Sequence, residues 1–237
     1  MIANFLRMLL GVALLPACWG FSRALVDSIV IAAGASGYDN VEAISLLGGM
    51  AAFVMCWLAL PRMVRTYVLG HELTHALWGL VFGAVPTRVR VGERGGSVNL
   101  TKTNVVITLA PYFFPFYTFV VIVAALVTFA FVRPLPFLPL WMFLIGFTWA
   151  FHVLFTLETL TQRQPDVTLY GRIFSWTFIY LANVMLVLLW LASMTHLSYA
   201  EMWRSLAVRV AGSYVAVGEA AAYLWGLTAG RSHGAGS

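Results

Sequence analysis

Apolar residues run through most of the chain in long stretches, and short polar segments between them mark the elements. Residues 2–21 form the first apolar run, about long enough to span a bilayer. Residues 22–42 are mixed and carry Arg23, Asp27, Asp39 and Glu42, with Ala24 to Ala33 able to continue as a helix at the interface. A second span covers 43–60, and Pro61-Arg62-Met63-Val64-Arg65 then breaks the pattern at a membrane boundary. A third helix covers 66–83 and ends at Gly83. Further apolar runs follow at 104–132, 136–160 and 173–195. The first of these is entered through Pro111 and Pro115, which predicts a kinked or broken helix whose freed carbonyls need neighbouring partners. Residues 200–226 begin with Glu201, Arg204 and Arg209 and then turn apolar around Glu219, as an interfacial helix or a weak seventh span. Gly230 to Ser237 reads as a disordered tail.

One segment has a different period. Val85-Pro86-Thr87-Arg88-Val89-Arg90-Val91 alternates apolar and polar residues, Glu93-Arg94-Gly95-Gly96 is a turn, and Ser97-Val98-Asn99-Leu100-Thr101 alternates again. That pattern predicts a β-hairpin over 86–101, read either as a surface loop or as an edge where an extended peptide could pair. The expected fold is therefore an all-α polytopic membrane protein. It has about six transmembrane helices and one short β-hairpin after the 66–83 helix. The expected divisions are N-terminal membrane helices over 1–60, a membrane core over 61–196 and a C-terminal interfacial or membrane helix with its tail over 197–237.

Composition sharpens the class. Of 237 residues, 61% are hydrophobic and 10% charged, against about 25% charged in soluble domains. The net charge of +5 does not point to nucleic acid as a partner, because the basic residues stand singly between apolar runs and read as anchors at a lipid bilayer. Arg88, Arg90, Arg94, Lys102, Arg163 and Arg172 favour one face as cytoplasmic, with Arg62, Arg65 and Arg133 on the other. The chain is expected to be an integral, multi-pass protein of the bacterial cytoplasmic membrane. Cys18 and Cys56 lie in apolar surroundings and read as structural thiols.

The candidate chemistry sits in Gly70-His71-Glu72-Leu73-Thr74-His75-Ala76-Leu77-Trp78-Gly79. At 3.6 residues per turn, His71 and His75 stack on one helix face. Two neutral imidazoles so placed can hold one Zn2+ ion per chain while leaving positions open. Glu72, beside the first ligand, is placed to take a proton from an attacking water. A catalytic zinc site needs a third protein ligand, and the residues leave several choices: Asp166 in the loop after the fifth span, His152 and Glu158 within it, and Asp27, Asp39 and Glu42 before the motif.

The segment His71-Glu72-Leu73-Thr74-His75, running on to Gly83 and a Val/Arg-rich hairpin, resembles the site-2 protease family of intramembrane zinc metalloproteases. Members of that family have a zinc helix, a membrane-associated hairpin and a later Asp-Gly whose Asp is the third ligand, often preceded by Phe-Asn-Leu. Here Phe155-Thr156-Leu157 precedes Gln164-Pro165-Asp166. The resemblance implies that Asp166 is the third ligand and that Thr156 holds the place of the Asn. Val167 stands where the family has Gly, and Gly171 comes five residues after Asp166. The resemblance covers roughly residues 66–195. It implies a zinc metalloendopeptidase acting on a membrane protein or peptide substrate, with Glu72 as the catalytic base. Two rival readings use the same residues: a non-catalytic membrane protein stabilised by zinc that binds a partner, and a transporter with a histidine-lined path.

Overall fold

The computed structural model describes residues 2–34, 40–92, 95–194 and 197–234, without the side chains of 33, 34, 40 and 228–234. In chain order the elements are α1 (Ile2–Ala13), α2 (Leu15–Gly34), α3 (Asn40–Ala59), α4 (Val64–Val81), β1 (Pro86–Gly92) and β2 (Gly95–Leu100). There follow α5 (Val105–Leu109), a 3₁₀ turn (Ala110–Tyr112), α6 (Phe116–Phe131), α7 (Leu138–Thr161), α8 (Pro165–Leu169), α9 (Arg172–Met194) and α10 (Tyr199–Gly234). The described residues are thus predominantly helical, with one two-stranded antiparallel sheet among them.

Among the described residues, four stretches are long and apolar enough to cross a membrane: Ile2–Ala32, Val41–Ala59, Leu138–Thr161 and Arg172–Met194. A fifth is possible if Val105–Tyr112 and Phe116–Phe131, bent by 84° at the Pro115 break, count as one broken span. This is fewer than the six expected. The 66–83 run forms α4, but Arg65, Thr66, His71, Glu72, Thr74 and His75 make it too polar to qualify. The first span is longer than expected, because α2 carries the helix on past Arg23 and Asp27. α10 is also longer than the 200–226 run and stays helical through Gly234, inside the stretch expected as a disordered tail. The rest of that tail, like Asp39 and the turn residues Glu93 and Arg94, lies outside the described residues.

The helices gather into two compact units. One holds α1, α2, α9 and α10. Ala24, Val184, Leu188, Met202 and Leu206 form its core, and Arg209 holds Asp27 through two hydrogen bonds of 2.6 and 2.9 Å. The other holds α3 to α8 and the hairpin. In this grouping α3 falls with the hairpin and α4, and α9 with the N-terminal helices.

In the second unit α3 and α7 cross at glycines. A side chain at Gly49 would meet the Phe143 carbonyl, and one at Gly146 the Leu46 carbonyl, so only glycine lets these backbones touch. Beside the crossing, Phe53 packs edge-on against Phe147 and Phe151, with centroids 5.1 and 5.4 Å away. Such pairs are worth about 0.5–1.5 kcal/mol beyond their buried area. Tyr67 of α4 stacks on Phe155 at 5.0 Å and 10°, which ties the motif-bearing helix to this aromatic core.

α4 ends where the sequence says it should. Gly83 adopts a left-handed φ of +69°, the Ala84 amide donates to the Gly79 carbonyl at 2.7 Å, and the Gly83 amide to Leu80 at 2.9 Å. This paired closure of the last turn needs a residue free to adopt positive φ. It turns the chain directly into β1, which pairs with β2 from Pro86↔Leu100 to Gly92↔Gly95.

Candidate metal centre

His71 and His75 lie one turn apart on α4, and both present Nε2 to the same oxygen, Asp166 Oδ2, at 3.6 and 3.5 Å. One ligand atom from each of the three residues falls within 4.8 Å of the others. Zinc bonds of about 2.0–2.1 Å in a tetrahedron leave ligand atoms about 3.4 Å apart, so the spacing suits an ion held between them. The donor set and the geometry fit a metal.

Local sequence explains how Asp166 arrives. Pro165 opens α8 at the first helical position, where its missing N–H costs no hydrogen bond. Asp166 follows in the first turn, where a carboxylate suits the helix dipole. Burial opposes its ionisation, but the two imidazoles outweigh burial and hold the carboxyl well below the ordinary carboxylate range. The Tyr112 hydroxyl donates to the same Oδ2 at 3.2 Å.

The second ring nitrogen of His75 is also fixed. Nδ1 lies 2.9 Å from the Ile107 carbonyl, and since a carbonyl only accepts, Nδ1 carries the proton and Nε2 keeps its lone pair for a metal. Ile107 is presented by α5, whose N-cap Asn104 accepts from the Ile107 amide at 2.9 Å. The helical partner of the Ile107 carbonyl would be the amide of residue 111, and that residue is Pro111. The proline break thus frees the acceptor that His75 uses.

The three residues line a cleft of about 900 Å³, together with Glu72, residues 95–100 of β2, and Thr108. Glu72 is 6% exposed and sits under Gly96, where an added Cβ would lie 2.6 Å from Glu72 Cγ and 2.8 Å from Oε1. Only a glycine lets β2 lie this close over the carboxylate.

The other candidate ligands lie elsewhere. Glu158 lines the cleft but faces Arg62 at 3.9 Å, with both side chains about 40% exposed. His152 is buried and lines a separate cavity. Asp27 pairs with Arg209 in the other unit, and Glu42 lies in the first turn of α3. Thr156 is buried, its hydroxyl without a hydrogen-bond partner, and it does not line the cleft. Sequence reasoning missed Tyr112, Ile107 and Gly96. Pro111, four residues after Ile107, was the available signal for the second.

No family model, curated protein or solved structure matches this chain. The functional reading therefore rests on the site itself.

Proposed function

We propose that this protein is a zinc-dependent intramembrane endopeptidase that hydrolyses peptide bonds of membrane-protein substrates. The observation that carries the reading is the convergence of His71, His75 and Asp166 on one point of a cleft that also holds Glu72 and a strand edge. His71, His75 and Asp166 would hold the metal, and a two-imidazole, one-carboxylate set suits zinc. When bound, zinc supplies Lewis acidity, polarising a scissile carbonyl and making water a better nucleophile near neutral pH.

The remaining work falls to the chain's own residues. Glu72 takes the proton of the attacking water and returns it to the leaving amine. Its near-burial under Gly96 keeps bulk water from solvating the carboxylate. The Ile107 carbonyl and the Tyr112 hydroxyl hold His75 and Asp166 in their ligating orientations. A substrate helix hides its peptide groups in internal hydrogen bonds and has to unwind before cleavage. The sheet has two strands, β1 and β2, and β2 lines the cleft. Its second edge offers backbone groups to an unwound substrate strand.

The test is Glu72→Gln. A protease keeps its zinc and loses cleavage of a transmembrane substrate in liposomes. A protein that uses zinc only to hold its fold, or a transporter, keeps its function in that variant.

A further inference from the structure

A second, much smaller cavity, of about 20 Å³, touches the metal-ligand helix. His71 and His152 both line it, with Tyr67, Thr74, Tyr117 and an otherwise apolar wall. The Thr74 hydroxyl donates to the Gly70 carbonyl at 2.7 Å, and the Tyr117 hydroxyl to Thr66 at 2.7 Å. Three polar atoms of the lining residues remain buried without a hydrogen-bond partner: the Tyr67 hydroxyl, His71 Nδ1 and His152 Nε2, the last two being the ring nitrogens. His152 is 7% exposed.

The two ligand histidines therefore differ. His75 has its ring fixed by the Ile107 carbonyl. His71 offers Nε2 on the Asp166 side, so ligation requires its proton on Nδ1, a donor with no protein acceptor. Ligand imidazoles almost always donate that second N–H to something. The cavity has room for one water, which needs at least about 10–15 Å³ of such space and two to four polar partners.

We propose that His152 is a positioning residue for His71, acting through one water held in this cavity. The inference rests on the metal reading of the cleft. The water accepts from His71 Nδ1–H and donates to the lone pair on His152 Nε2, which leaves the His152 proton on Nδ1. Both orphaned nitrogens are satisfied at once. The His71 ring is held with Nε2 toward the metal position, as Ile107 holds His75.

The experiment compares full-length wild type, His152→Phe and His152→Gln in detergent. Affinity for Co2+ is measured by chelator competition and by the visible spectrum of the bound ion, and thermal unfolding is followed in the metal-free proteins. His152→Phe is expected to weaken Co2+ binding about 10–100-fold and to alter the spectrum. His152→Gln, which keeps an acceptor, is expected to stay within about threefold of wild type. The metal-free His152→Phe protein is expected to unfold close to wild type, because His152 Nε2 makes no direct hydrogen bond to a protein atom and an aromatic ring keeps its packing. Co2+ affinity of His152→Phe within twofold of wild type, or a loss in His152→Gln as large as that in His152→Phe, overturns the inference and leaves the metal reading standing. Wild type that binds no Co2+ overturns both.

Discussion

His75 and Pro111 are linked through one carbonyl. Pro111 has no N–H to give to Ile107, and His75 Nδ1 takes that acceptor at 2.9 Å. A helix break that would otherwise leave a buried carbonyl unsatisfied instead sets the tautomer of His75, with Nε2 left free to hold a metal. Restoring an N–H at 111 puts a helical competitor on the Ile107 carbonyl. Pro111→Ala is expected to weaken metal binding about tenfold, within the usual range for losing such a partner. Chelator competition measures it, and unchanged affinity contradicts the link.

Tyr112 makes a similar contribution to Asp166. Tyr112→Phe removes the hydroxyl that donates to Oδ2 but keeps the ring, which stands edge-on to His71 at 5.3 Å. The expected result is a loss of about tenfold in metal affinity with little change in thermal stability. A drop in stability at constant affinity would mean that Tyr112 serves packing alone.

Gly96 separates the two halves of the chemistry. The three atoms that a Cβ there would meet first belong to Glu72 and Val68, and not to His71, His75 or Asp166. Gly96→Ala is expected to retain zinc and to lose turnover about tenfold or more, as a displaced general base would. Metal content and cleavage rate measured on one preparation decide it. Parallel loss of both would place Gly96 in the fold and not beside the base.

Acid should release the metal through the imidazoles. Ligating histidines must be neutral, and an unperturbed imidazole titrates near about 6.5. The Asp166 carboxyl lies below the ordinary carboxylate range, so it stays ionised while His71 and His75 take up protons. Metal occupancy is therefore present at neutral pH and lost as pH falls through the histidine range. A Co2+ spectrum followed against pH checks this. Loss only near pH 4 would point to a carboxyl as the controlling group.

The α3–α7 crossing gives a test of the fold alone. Gly146→Ala drives a methyl into the Leu46 carbonyl, which is backbone and cannot step aside. Strain of this kind typically costs about 1–3 kcal/mol. Thermal unfolding in detergent should show it, and an unchanged midpoint would mean the helices do not meet there.

What the sequence made legible follows periodicity and local chemistry. The hairpin was readable because Val89, Val91 and Val98 alternate with polar residues. The end of α4 was readable because Gly83 stands where a left-handed residue is needed. The proline break at 111–115 was readable as a break. The carbonyl it freed was not assignable, because finding a partner 32 residues away requires the tertiary structure. The count of spans was not met at α4, where an apolar run carries enough polar chemistry to fall short of a span by length and composition. His71 and His75 were fixed by helix spacing. Asp166 stood among several candidate ligands and was singled out only by the family resemblance, since its reach to the site depends on how α8 is set beside α4. Gly96 could not be found at all, because a glycine in a turn looks alike whether or not a carboxylate lies beneath it.

The central claim is that one metal held by His71, His75 and Asp166 serves peptide hydrolysis. The most direct test measures zinc per chain and cleavage of a transmembrane substrate in liposomes, side by side, for wild type and Asp166→Ala. The account predicts one zinc and cleavage for wild type, and loss of both in Asp166→Ala. Zinc and cleavage retained in Asp166→Ala would contradict the ligand set, and a wild type that binds no zinc would contradict the account at its root.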